Sequence, residues 1–184
     1  MKIAEVFDIH QDFDKPDTDY SRLREYILSN SKFVDKVTKN TSLCEVGSLE
    51  WSLHLDDQVV AYLVLTEEMI NHVVYPRLKM ILTFPPHRGK GYAKTLLYAV
   101  KEQVGKIVID GVVFNQGQQL IRSLASQPLS NIKVLDKRSG TVSKFVKSVN
   151  DQDFCYILES TGLKYGTQLL VAHEYTYYNP YGIE

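Results

Sequence analysis

Apolar positions along this chain change period several times, and each change marks an element. "KIAEVFDI" alternates and is closed by an acidic turn, which predicts a first strand. In "DTDYSRLREYILSNSKFVDKV" the residues Tyr20, Leu23 and Ile27 share a face at helical spacing, and Asp17 or Thr18 stands where a cap belongs. Residues 18 to about 40 are therefore predicted as one or two helices. The period then falls to two. "EWSLHLD" and "QVVAYLVLTE" read as strands of a hairpin turning at Asp56, Asp57 and Gln58. A polar connection from Glu67 to Asn71 leads to a third strand, "RLKMILTF", which stops at Pro85 and Pro86 because proline has no N–H for a ladder. From Tyr92 the apolar positions Tyr92, Ala93, Leu96, Leu97, Val100 and Val104 form the stripe of an amphipathic helix, and Gly105 ends it.

"KIVIDGVVF" follows as a buried strand, and "NQGQQLIRSLASQP" as a helix with Asn115 as its cap and Pro128 as its stop. "NIKVLDKRSGTVSKFV" has two β-like runs around Arg138, Ser139 and Gly140, a hairpin signature. The final "DFCYILESTGLKYGTQLLVAHEYTYYNPYGIE" reads either as two more strands or as a short helix and a strand. No repeat, low-complexity tract or linker divides the chain. Helix first, hairpin next, then strand, helix, strand and helix predict a mixed α/β (α+β) layer architecture in a single domain spanning residues 1–184.

Composition narrows the function classes. With 184 residues, 44% of them hydrophobic, the chain has the length for one domain with a real core. Its 21 Lys and Arg nearly balance 22 Asp and Glu, so no global field draws it to nucleic acid or to an anionic membrane. Cys44 and Cys155 stand apart, outside any CxxC pattern, and indicate neither a disulfide framework nor a zinc site. The opening "MKIAEVFDIHQDFD" carries acids where a signal peptide needs an apolar core, and no apolar run approaches the roughly 20 residues of a membrane span. A soluble, cytoplasmic protein is the expectation.

The chemistry concentrates in "MILTFPPHRGKGYAKTLLYAV". A strand, a turn with glycines at 89 and 91, and a helix place unpaired backbone N–H groups around an anion. A P-loop would need Ser or Thr after Gly89 and Lys90, but Gly91 stands there. A dinucleotide fingerprint needs a third small residue at position 94, which is Lys. Asp110 does lie about 20 residues on, where a ribose-binding acid belongs, yet the motif begins halfway along the chain. A bare tight turn with solvated basic neighbours is the plainer alternative.

Arg88, Gly89, Lys90, Gly91, Tyr92 and Ala93 match the pyrophosphate loop of motif A in the GNAT superfamily of acyl-CoA-dependent N-acyltransferases, which this stretch resembles. Phe84 and Pro85 before it, and Leu96 and Leu97 after it, fit the same pattern. The resemblance implies a GNAT-like, mostly antiparallel central sheet flanked by helices, with acetyl-CoA as cosubstrate. It implies that the amides from Arg88 to Ala93 bind the pyrophosphate, with Arg88 and Lys90 near the phosphates. Leu82, Thr83 and Phe84 would then hold the pantetheine arm through main-chain hydrogen bonds, and a strand N–H would serve as oxyanion donor. The implied reaction is direct transfer of acetyl to an amine of a small molecule or protein, assisted by a general base and a proton donor. The alternative is a catalytically inactive GNAT-fold binding or structural module.

The second motif of that family departs here. Asn115 and Leu120 match, making Asn115 either a coenzyme ligand or only a helix cap, but Ile121 stands in place of the tyrosine acid. A second alignment puts Ile157, Leu158, Gly162 and Leu163 at the same places, and it too lacks the tyrosine. Base candidates are Glu67, Glu68, His72 and Asp110. His72 has the intrinsic pKa nearest the task. Tyr175, Tyr177, Tyr178 and Tyr181 would either wall a substrate pocket or form an edge strand or a homodimer contact. Trp51 is expected in the core. "NQGQQLIRSLASQP" with "KVLDKRSG" resembles the later half of some phage-encoded GNAT-like proteins. The acceptor amine has no signature.

Overall fold

The computed structural model describes residues 20–110, 115–127, 130–145 and 153–162. The expected first strand, the caps at Asp17 or Thr18, Pro128, Leu163 and the tyrosines from Tyr175 onward lie outside these. Within them the elements run α1 (Ser21–Asn30), β1 (Lys32–Lys36), β2 (Thr41–Gly47), β3 (Glu50–Leu55), β4 (Gln58–Ile70), β5 (Val73–Thr83), α2 (Tyr92–Val104), β6 (Lys106–Asp110), α3 (Asn115–Ala125), β7 (Ile132–Asp136), β8 (Val142–Lys144) and β9 (Phe154–Glu159). The strands form one mixed sheet in the order β1-β2-β3-β4-β5-β6-β9-β7-β8. Every pairing is antiparallel except β5 with β6. This mostly antiparallel sheet flanked by helices is consistent with a GNAT-like fold. No helix among the described residues is long and apolar enough to cross a membrane.

Two predicted boundaries need correction. The helix begun at Ser21 stops at Asn30 instead of continuing toward residue 40. Ser31 is extended (φ −65°, ψ 130°), its hydroxyl donates to the Ile27 carbonyl at 2.7 Å, and Asn30 Nδ2 donates to Tyr26 O at 2.7 Å. These short polar side chains compete for the last carbonyls and end the helix. "KFVDK" then becomes the edge strand β1, paired to a second strand, β2, that the sequence reading missed. The polar stretch from Glu67 to Asn71 is likewise no connection. Residues 67–70 are strand, the turn is only Asn71 and His72, and β5 begins at Val73. A ladder is set by backbone pairing, and Ile70 opposite Val73 to Thr66 opposite Arg77 carry it through the acids.

Elsewhere among the described residues the patterns held, with the "GVVF" end of the predicted buried strand and the stretch from Leu163 lying outside them. Asp56 and Asp57 turn the β3–β4 hairpin, with Asp56 at φ 50°, and Gln58 already belongs to β4. Gly105, at φ 84°, ends α2. Residues 137–139 turn β7 into β8. The "FCYILE" stretch is a strand, so the second alignment, at Ile157 and Leu158, falls on β9 and not on a helix.

The core lies on both faces of the sheet. On one, Leu96, Leu97 and Val100 of α2 pack with Leu53, Leu63, Ile107 and Leu158. Each such fully buried leucine contributes roughly 1.5–3 kcal/mol. On the other, Leu23 and Ile27 of α1 meet Tyr62, Leu82 and Phe84. Covering on both sides explains why β4 is apolar without alternation from Val59 to Leu63. Trp51 is in the core, as expected.

Candidate functional site

β5 leads into the site and carries its main irregularity. Leu65 pairs with Leu78 and Val64 with Met80, so Lys79 is an extra residue, a bulge left out of the ladder to β4. On its other edge β5 meets β6 at one pair only, Arg77 with Val108. Among the described residues no further pair joins the two strands, and β6 ends at Asp110, two residues past Val108. Phe84 N still bonds Val60 O at 3.1 Å, which holds the strand end to β4. Pro85 to His87 then make one 3-10 turn.

The glycine turn follows this strand end and opens α2. Gly89 and Gly91 have φ of 74° and 80°, the left-handed region in which a Cβ is strained. Among the described residues, the chain neighbours aside, nothing lies within 4 Å of where either Cβ would be. Gly91 is the N-cap of α2, no side chain bonds there, and the first turn holds no acid. The amides of this helix start thus have neither a side-chain cap nor an acid of their own turn. Arg88 is drawn back, with Nε 3.3 Å from Thr83 O and Nη2 3.4 Å from the Tyr20 hydroxyl. Lys90 is exposed. Beside them His87 is held below the usual histidine range, first by desolvation and then by the charges of Lys90 and Arg24.

A charged cluster sits over the β5–β6 seam. Arg77 binds Asp110 through Nη2, and its Nε lies 3.5 Å from Glu68 Oε2. That second approach lacks hydrogen-bond geometry, and both atoms are shielded from solvent without a hydrogen-bond partner. Lys137 Nζ donates to Glu68 Oε1 at 3.0 Å and to Asp110 Oδ1 at 3.4 Å. Burial pulls the Lys137 pKa down, but the hydrogen bond and charge of Glu68 and the charge of Asp110 outweigh it, and the net shift is upward. Under the cluster lies Cys155, its thiol pushed up to about 11, chiefly by burial.

The structure therefore brings Glu68 and Asp110 together and leaves Glu67 and His72 outside. Strand alternation turns Glu67 to the opposite, exposed side, and His72 is exposed in the hairpin turn. Asn115 opens α3, as expected. Ile121, at the missing tyrosine's place, is buried in the core and brings no acid. Sequence reasoning missed Arg77, the bulge at Lys79 and Lys137. The available signal was two cations inside the apolar run "RLKMILTF".

No family model matches the chain, and none of the curated proteins does. Among solved structures it is similar to the AtaT toxin bound to the C-terminus of the antitoxin AtaR and acetyl-CoA, at 12% identity over 70% of this chain and 72% of that one, with a TM-score of 0.38. It is similar to Naa50 of Arabidopsis thaliana in complex with a bisubstrate analogue, at 11% identity over 62% and 74%, with a TM-score of 0.33. A ribosomal-protein-alanine N-acetyltransferase from Escherichia coli gives 12% identity over 73% and 83%, with a TM-score of 0.35. Likeness this slight assigns the chain to no family, and the function has to be read from the site itself.

Proposed function

We propose that the protein is an acetyl-CoA-dependent N-acetyltransferase of the GNAT type. The observation that carries this reading is the end of the β5–β6 seam, which we read as a cleft: one parallel pair at Arg77 and Val108, no further pairing of β5 with β6 among the described residues, and a two-glycine helix start without a side-chain cap. The room at the Cβ positions of Gly89 and Gly91 fits a diphosphate, which a Cβ at either position would obstruct. Acetyl-CoA supplies the activated acyl group as a thioester.

The chain's own part is binding and proton handling. Amides from Arg88 to Ala93 hold the phosphates, with Lys90 and a repositioned Arg88 adding charge. The main chain of Thr83, which alternates away from β4, binds an extended amide-bearing arm as an added strand would, Arg88 giving up the Thr83 carbonyl as it turns to the phosphates. The bulge at Lys79, whose backbone is outside the β4 ladder, offers an N–H to a carbonyl oxygen that gains charge. Glu68 and Asp110 are the carboxylates placed to accept a proton from an amine. Asn115 lies at the start of α3, beyond the end of β6, and is assigned to the coenzyme side.

The test is calorimetric titration with acetyl-CoA. Binding in the micromolar to millimolar range is expected, and Gly91→Val should weaken it at least tenfold without unfolding the chain. An affinity unchanged by that substitution would sink the phosphate site. A second reading, a binding module without turnover, is favoured by the buried Ile121 at the acid's place. Coenzyme binding without free thiol release across a panel of primary amines would select it.

A further inference from the structure

Lys137 is placed unlike a surface lysine. It follows β7, two strands from β6, and its side chain crosses above Cys155 on β9 to reach Asp110 on β6. The same ammonium meets Glu68 on β4, from the other side. Bonds from both sides locate Nζ above the β5–β6 seam. Its backbone is fixed as well. Lys137 N donates to Asp153 O at 2.7 Å, Gly140 N to Asp136 O at 2.8 Å, and Asn71 Nδ2 reaches from the β4–β5 turn to Ser139 O at 3.0 Å. An arm lying along β5 from Thr83 to Lys79 runs four residue steps, roughly 13 Å at strand rise, and by the Arg77–Val108 register ends level with Asp110, which this nitrogen contacts.

We propose that Lys137 is an internal acetyl acceptor, its amine taking the acetyl group of acetyl-CoA held in the same chain. This inference rests on the coenzyme reading above. The step balances as an ordinary acyl transfer. The ammonium gives one proton to Glu68 or Asp110, and the neutral nitrogen attacks the thioester carbonyl. A C–N bond forms, the C–S bond breaks, and the proton lost as the amide forms ends on the departing thiolate. Lys137 rests as an ammonium between two carboxylates, so the modification is slow and stops at one acetyl per chain. It also discharges the cation, which frees Glu68 and Asp110 from Lys137 and loosens the hold of the β4–β5 hairpin on the β7–β8 turn.

The full chain is incubated with acetyl-CoA and followed by intact mass and peptide mapping, with calorimetry in parallel. A single acetyl at Lys137, absent from Lys137→Arg and lost in Gly91→Val, is the expected result. Glu68→Gln should slow the labelling at least tenfold while leaving coenzyme affinity unchanged. If the coenzyme binds but acetyl spreads over exposed lysines such as Lys90 and Lys144, or never reaches Lys137, the inference is overturned while the coenzyme reading stands. If acetyl-CoA does not bind, the coenzyme reading fails and takes this inference with it. Mapping the unmodified chain does not depend on any variant folding.

Discussion

Under α1, Glu50 accepts hydrogen bonds from the Tyr26 and Tyr62 hydroxyls, both at 2.9 Å, and Ser52 and Ser31 approach His54 Nε2 at 2.9 and 3.4 Å. Further along the same face of β4, Glu68 shares Lys137 and Arg77 with Asp110. The first group is half-buried, each member has a hydrogen-bond partner, and it fastens a helix to a sheet. The second is part-exposed, joins four strands or turns, and leaves a shielded donor and acceptor unmatched. A network that only has to hold the fold is closed and satisfied. One that keeps charges in partial contact with solvent, with a donor and an acceptor unmatched, is where the proposed chemistry is placed.

That contrast can be broken by substitution. Glu50→Ala leaves two tyrosine hydroxyls without their acceptor, one of them on the fully buried Tyr62, and should cost roughly 1–3 kcal/mol in denaturant unfolding with coenzyme affinity unchanged. A tenfold fall in affinity would show that the two networks are coupled. The His54 pKa is lowered from the usual 6.5 by burial, with the Asp57 charge opposing. A histidine held below its unfolded value contributes stability that is present above pH 6.5 and is lost as pH falls below it. Stability measured against pH should therefore decline on the acid side of 6.5, and His54→Gln should flatten that decline. The smallest expected effect on stability is that of Lys137→Met, under about 1 kcal/mol, because ion pairs open to water are worth little. A loss as large as that of Glu50→Ala would make the seam cluster structural too.

Legibility followed the same division. The glycine turn was readable because two left-handed positions, a proline stop and a leucine stripe are local demands on residue type. Gly105 and the Asp56–Asp57 turn were readable for that reason. Glu67 and His72 could not be separated from Glu68 and Asp110, because only the alternation of a strand, once its extent is known, decides which neighbour faces the cleft. Taking residues 67–71 as a connection hid that extent. β1 was hidden because "KFVDK" is short and half-exposed, and its assignment comes from pairing with β2, not from its own pattern. Lys137 was beyond reach for a stronger reason. Its partners are 69 and 27 residues away in sequence, and a contact of that span leaves no local trace.

The place of β9 between β6 and β7 has a consequence for how the chain is made. β1 to β5 pair with their sequence neighbours and can assemble in the order in which they emerge during synthesis. The β7–β8 hairpin reaches the sheet only through a strand translated after it, so it must wait until Glu159 has been added. Until then the outer edge of β6 is bare, and the cation that closes the seam has no fixed position. A nascent chain can thus complete the half that carries the glycine turn well before the half that carries Lys137.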